Sequence, residues 1–284
     1  MGQRASGSVV IFGTLLSLGV GGSMSRDASA EGGPPRGLYE QRACQAGEDR
    51  CVSRVIREMQ RRFEPLAASC DHDAVFSLVY LRTTEKYLET VDEIGYSDAA
   101  SVTREDSLFA DYYFRAFDAY HGGSRQGAGT VPPAWQIAFD AAESRTLSAQ
   151  GNAFLGISAH IQRDLPFVLY DLYLDGNGIS YEDHTLVNDF LAQVDAATEI
   201  IERFDPTYPP GSDITLVAAW RETAFVNFER LRDATPAERV AITAEIEYAA
   251  AAFAVNVVAS TAYPPGESSA ERDAFCEALV SCDE

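Results

Sequence analysis

The sequence predicts an all-α protein: a single helical domain of about seven or eight helices, arranged like an antiparallel bundle. Three observations predict it. Apolar residues recur at spacings of three and four nearly throughout, and no comparable stretch alternates with period two. The Gly- and Pro-rich breaks are short, and helices joined by short loops pack antiparallel. Hydrophobic residues make up 46% of the 284 residues, enough for one sizeable core.

Taken in order, the first stripe is Val52, Val55, Ile56, Met59 and Phe63. The second runs from Phe76 through Val79, Tyr80, Thr83, Tyr87 and Val91 to Ile94, with Asp71 and Asp73 before it and Gly95 after. Leu186, Phe190, Val194, Ala197, Ile201 and Phe204 form a third stripe, and Val217, Trp220, Ala224, Phe228 and Leu231 a fourth. Each marks a helix with one buried face. Thr235-Pro236-Ala237-Glu238 reads as a cap, a first-turn proline and a capping-box glutamate. Breaks fall at 122–133, 175–182, 205–213 and 263–269, none long enough to separate domains.

Residues 1–30 read as a signal peptide: Arg4, an apolar stretch from Val9 to Val20, then Ala28-Ser29-Ala30 as a cleavage pattern. Residues 31–43 read as a flexible leader and 44–284 as the helical domain, so the expected location is extracellular. The longest later apolar run, Ala249 to Ala259, is shorter than the roughly 20 residues of a span, so no transmembrane anchor is expected. Acidic residues number 43 against 22 basic, for a formal charge of -21. Such a surface repels nucleic acids and anionic lipids, so no nucleic-acid-binding surface is expected.

The five cysteines, Cys44, Cys51, Cys70, Cys276 and Cys282, suit an oxidising compartment and suggest two bridges and one remaining thiol. Residues seven apart on a helix lie about 10 Å apart along its axis. Cys44–Cys51 can therefore close only if Cys44 precedes the helix, and Cys276–Cys282 needs a turn; otherwise the pairs cross and tie the two ends of the domain together.

Four histidines are the candidates for chemistry. His160 and Asp164 lie four apart in an otherwise apolar or small-residue segment, Gly151 to Pro166, and share one helix face. Such a pair can hold a divalent metal such as zinc, form an acid–base pair, or simply lock core helices together. Gly156, one turn earlier, allows close approach of a helix or ligand, and Pro166 predicts a kink. Asp183 reads as an N-cap and places His184 in the first turn of the next helix, near the end of the His160 helix. His121 closes a helix that also carries Asp118. His184 and His121 are thus candidate further ligands, whereas His72, flanked by Asp71 and Asp73, reads as capping chemistry. Asp175-Gly176-Asn177-Gly178 fails as a calcium loop, because Ile179 and Ser180 follow it. No GxSxG, HExxH, P-loop or GxGxxG motif is present.

Trp135, then Gly156-x-x-Ala159-His160-Ile161-x-x-Asp164-Leu165, then Val187-Asn188 resemble an uncharacterised bacterial family of unknown function; that resemblance implies no activity. His160, Asp164 and Pro166 also resemble, more faintly, the helical zinc phospholipases C and single-strand nucleases. This chain lacks their nearby second histidine, their His-x-x-x-Glu partner and their N-terminal tryptophan. The expectation is a metal-dependent hydrolase for a small-molecule or ester-type substrate, with His160 and Asp164 catalytic and His184 and His121 as added ligands. The alternative is a non-catalytic secreted binding or structural protein with a buried His160–Asp164 pair.

Overall fold

Helix caps and breakers divide the chain much as the stripes suggest. The computed structural model describes residues 37–122, 130–210 and 214–281. The helices are α1 (Arg42–Gln45), α2 (Asp49–Ala68), α3 (Ala74–Thr90), α4 (Ala99–His121), α5 (Pro133–Glu143), α6 (Ala149–Ser158), α7 (Leu165–Leu174), α8 (Tyr181–Leu191), α9 (Ala197–Arg203), α10 (Ile214–Asp233), α11 (Pro236–Thr261) and α12 (Ala270–Val280). A π-helical turn, Ala159–Asp164, joins α6 to α7 without a break. The all-α expectation holds. The helical pieces outnumber the expected seven or eight because α1, α9 and α12 are short and because the third stripe divides. That stripe is cut between α8 and α9, where the Asp195 carboxylate accepts from the Thr198 N–H at 3.1 Å and hydroxyl at 2.8 Å, starting α9 anew.

Five other helices pack along the α6–π–α7 rod. α3, α5 and α11 pack on α6; α4, α5, α10 and α11 reach the π turn; α4 and α10 cover α7. Ala153, Leu155, Ala159, Leu165, Val168 and Leu172 along the rod are sealed from solvent. The π turn has a local cause. Pro166 has no N–H and its ring crowds the carbonyl four residues back, so the ladder widens and the Leu165 N–H bonds the His160 carbonyl, five residues back. The proline thus widens the helix rather than ending it. Gly156 admits α3: a Cβ there would sit 2.1 Å from Cγ of Phe76.

The capping box of Thr235 and Glu238 is present. The expected N-cap at Asp183 is corrected. Ser180 takes that place, accepting the Asp183 N–H at 3.0 Å. The Asp183 carboxylate instead ties α8 to the chain before α4, accepting from the N–H and hydroxyl of Ser97, both at 2.7 Å, and from the Asp98 N–H at 3.1 Å. At the N-terminal side, residues expected as leader are docked: the N–H groups of Leu38 and Tyr39 donate to Asp111 at 2.9 and 2.7 Å. The expected signal peptide lies outside the described residues.

Among the described residues two disulfides are formed, which combine the local Cys44–Cys51 pairing with a bridge between the two ends of the domain rather than following either alternative alone. Cys44 sits in α1, before α2 begins, and pairs with Cys51 at a Cα separation of 4.9 Å. Cys70 pairs with Cys276 across 206 residues, tying the α2–α3 turn to α12. Cys282 lies outside the described residues. Among the described residues one helix, α11, is long and apolar enough to cross a membrane by length and composition, with a mean hydropathy of 1.4. The Ala249–Ala259 run alone is shorter than a span, so the expectation of no such segment does not count the rest of this helix. The alanines and Ile246 before that run extend it, with only Glu245 and Glu247 interrupting.

Candidate functional site

The π turn brings His160 and Asp164 together in the middle of the protein, both buried. Asp164 Oδ2 accepts from His160 Nδ1 at 3.0 Å and from the indole N–H of Trp135 on α5 at 2.8 Å. Asp164 Oδ1 accepts from Arg163 Nη1 at 2.9 Å, and Arg163 continues to Glu247 on α11 through Nε and Nη2 at 2.9 and 2.7 Å. Burial alone would raise the Asp164 pKa, but the His160 hydrogen bond and the Arg163 charge outweigh it and hold the carboxyl below its usual range. Burial pushes the His160 imidazole below its ordinary value, against the pull of Asp164. The result at neutral pH is an ionised Asp164 accepting from a neutral imidazole whose proton is on Nδ1. Nε2 is left with a lone pair, and it is buried with no hydrogen-bond partner.

Aromatic rings fix the imidazole in place. Phe109 of α4 stacks on it at 3.4 Å with planes 2° apart, and Tyr80 of α3 meets it edge-on at 4.5 Å. Phe76, Tyr113 and Trp135 complete the surround. Beside the ring lies a cavity of about 130 Å³. Its floor is Phe76, Tyr80, Ile161 and Arg221, all buried; its rim is Val79, Thr83, Ile157, Leu191, Val194 and Val217, all half-exposed. The floor is thus sealed while the rim meets solvent. An adjoining cavity of about 60 Å³ shares Tyr80, Thr83, Phe109, Leu191 and Arg221 and adds Glu105 and Asp106 of α4.

The structure places the other two expected ligands elsewhere. Both ring nitrogens of His184 are engaged: Nε2 donates to the Arg221 carbonyl and Nδ1 accepts from Arg221 Nη2, each at 3.2 Å. Burial and the Arg221 charge hold its pKa far down, so it is neutral. His184 therefore positions Arg221, which does line the cavity. His121 lies 3.1 Å from Asp73 Oδ2. It stands twelve residues along α4 from Phe109, the ring stacked on His160, or roughly 18 Å along the axis. Among the described residues no three His, Cys, Asp or Glu side chains gather where a metal ion could be held. The pair itself does not fit one either: N–H donors already occupy both Asp164 oxygens, and one donor is the Arg163 cation. His72 is no cap. Buried, it bonds Asp273 through Nε2 at 2.8 Å and Arg272 through Nδ1 at 3.2 Å, and burial lowers its pKa to about 4.

Sequence reasoning did not assign roles to Trp135, Arg163, Phe109, Tyr80 or Arg221. Arg163 carried a signal, since a buried carboxylate needs donors and a guanidinium adjoins it in sequence, whereas Trp135 lies 29 residues earlier and gave none. Arg104-Glu105-Asp106 reads as a solvated charge run, and nothing local reveals that Glu105 is buried.

All of these residues lie between Val52 and Ser260, whereas α12 and the cysteines Cys44, Cys51 and Cys276 fall outside that span. Neither the curated proteins nor the solved structures contain a match to the chain. A family model described as a family of unknown function (DUF5995) matches residues 52–260, and the chain belongs to that family.

Proposed function

We propose that the protein binds a small, largely apolar molecule carrying a hydroxyl group in the cavity beside His160, with the Asp164–His160 pair as the proton acceptor. The observation that carries this reading is the partnerless, buried Nε2 of His160 beside that cavity. A buried acceptor without a donor costs free energy that a ligand O–H would recover. The cavity size supports a single ring: a cavity of about 150 Å³ in another protein accommodates benzene. With the hydroxyl bonded to Nε2, the imidazole can withdraw its proton. Asp164 then stabilises the imidazolium, which makes the hydroxyl oxygen, or a water in its place, nucleophilic. This keeps the His–Asp chemistry of the expected hydrolase but assigns the activation to a base rather than to a zinc ion. The export signal read in residues 1–30 and the two disulfides support a secreted protein working in an oxidising space.

Calorimetric titration with 4-propylphenol and with propylbenzene tests the binding. The phenol is expected to bind the wild type about tenfold more tightly than the hydrocarbon. His160→Phe, checked for retained helix by circular dichroism, is expected to erase that difference. Equal binding of the two compounds by the wild type, or no saturable binding of either, contradicts the proposal.

A further inference from the structure

The smaller cavity is chemically unlike the larger one. Glu105 Oε2, Asp106 Oδ2 and the Tyr80 hydroxyl are all sealed from solvent and lack a hydrogen-bond partner. Tyr80 is only 6% exposed and Glu105 4%. Arg221 Nη2 stands 3.9 Å from Glu105 Oε1, so one carboxylate faces one guanidinium. Asp106 has no ion pair among the described residues. With both carboxylates ionised this end is short of one cation, and the three partnerless oxygens can then all accept hydrogen bonds.

We infer that this annex is an ammonium subsite: Asp106 and Glu105 receive the primary amine of a ligand whose aromatic ring fills the larger cavity. The inference rests on the ring-binding reading above and names the ligand class as an aromatic amine. An ammonium group offers three N–H donors, matching Glu105 Oε2, Asp106 Oδ2 and the Tyr80 oxygen. Its charge is the one Asp106 lacks. Without a cation, burial and the neighbouring Glu105 push the Asp106 carboxyl up to about 8, so it holds a proton that an ammonium would replace. A ligand carboxylate fits less well. It would face two acidic side chains, and Arg221 Nη2 is already engaged with His184 and Glu105, which leaves Arg221 Nε as the single partnerless donor against three partnerless oxygens.

The experiment compares three compounds that share a hydroxylated ring by calorimetric titration of the purified protein: 4-propylphenol, tyramine and 3-(4-hydroxyphenyl)propionate. Tyramine is expected to bind about tenfold or more tightly than 4-propylphenol, with the carboxylate weakest. Asp106→Asn is expected to remove the tyramine advantage while leaving 4-propylphenol affinity unchanged, and Glu105→Gln to reduce that advantage. The retained 4-propylphenol binding shows that each variant site is folded. Tyramine and 4-propylphenol binding alike, the carboxylate binding best, or an advantage that survives both substitutions overturns the ammonium subsite and leaves the ring pocket standing. If none of the three compounds binds, the ring pocket falls with it.

Discussion

Asp164→Ala is expected to destabilise the protein by about 3–5 kcal/mol, the cost typical of breaking a buried charge network on one side. The carboxylate holds three donors from different places: the Trp135 indole on α5, the His160 imidazole, and the Arg163 guanidinium that continues to Glu247 on α11. Removing it leaves an indole N–H, an imidazole N–H and part of a cation buried without their acceptor, and it breaks the hydrogen bond that ties α5 to the central rod. Asp164→Asn preserves shape but replaces one acceptor oxygen with a donor, so it is expected to cost less than Ala and still to disturb His160. Urea denaturation of both variants checks the size and the order. A loss below about 1 kcal/mol for Ala would show that these donors find water instead.

The two disulfides are expected to contribute unequally. In the chain-entropy account a bridge stabilises by restricting the unfolded chain, and the effect grows with the logarithm of the loop. Cys70–Cys276 closes a loop of 206 residues and Cys44–Cys51 one of 7. Replacing the first pair by serine is expected to cost about 5 kcal/mol and the second about 2 kcal/mol. The long bridge also holds α12 where Asp273 and Arg272 meet His72, so its loss exposes a buried ionic junction. Melting of the two double variants decides the matter; a larger loss for Cys44–Cys51 would contradict the loop argument.

Much of the fold was legible because helical periodicity is a local signal. The stripe that starts at Phe76 became α3, which ends at Thr90 before the last stripe members Val91 and Ile94, and the Thr235–Glu238 box begins α11. The His160–Asp164 pair was legible for the same reason: a spacing of four on one helix needs no tertiary knowledge. What stayed hidden depends on contacts between distant segments. His184 and His121 sit on the expected helices, yet Arg221 and Asp73, from other parts of the chain, claim their ring nitrogens. The Asp164 network similarly draws donors from positions 29 residues before it and one residue away, and a link to Glu247. Pro166 signalled a disturbance but not its form, since a kink and a π turn both relieve the missing N–H. The annex was the least legible part, because an Arg-Glu-Asp run is ordinarily solvated and here residues of α3, α8 and α10 enclose it.

His160 is neutral, with its proton on Nδ1 and a bare Nε2, and its ring lines the cavity. The most direct measurement is the ¹⁵N spectrum of the His160 ring, assigned by comparison with His160→Phe and recorded from pH 5 to 8 with and without 4-propylphenol. Burial holds the imidazole below its ordinary pKa, so a protonated Nδ1 and an unprotonated Nε2 are expected at pH 7, with the ring still resisting protonation as the pH falls through about 6.5. On adding the phenol, the Nε2 signal is expected to move as it accepts a hydrogen bond. An Nε2-protonated ring, a fully charged imidazolium at pH 7, or an Nε2 signal indifferent to saturating 4-propylphenol would contradict the account.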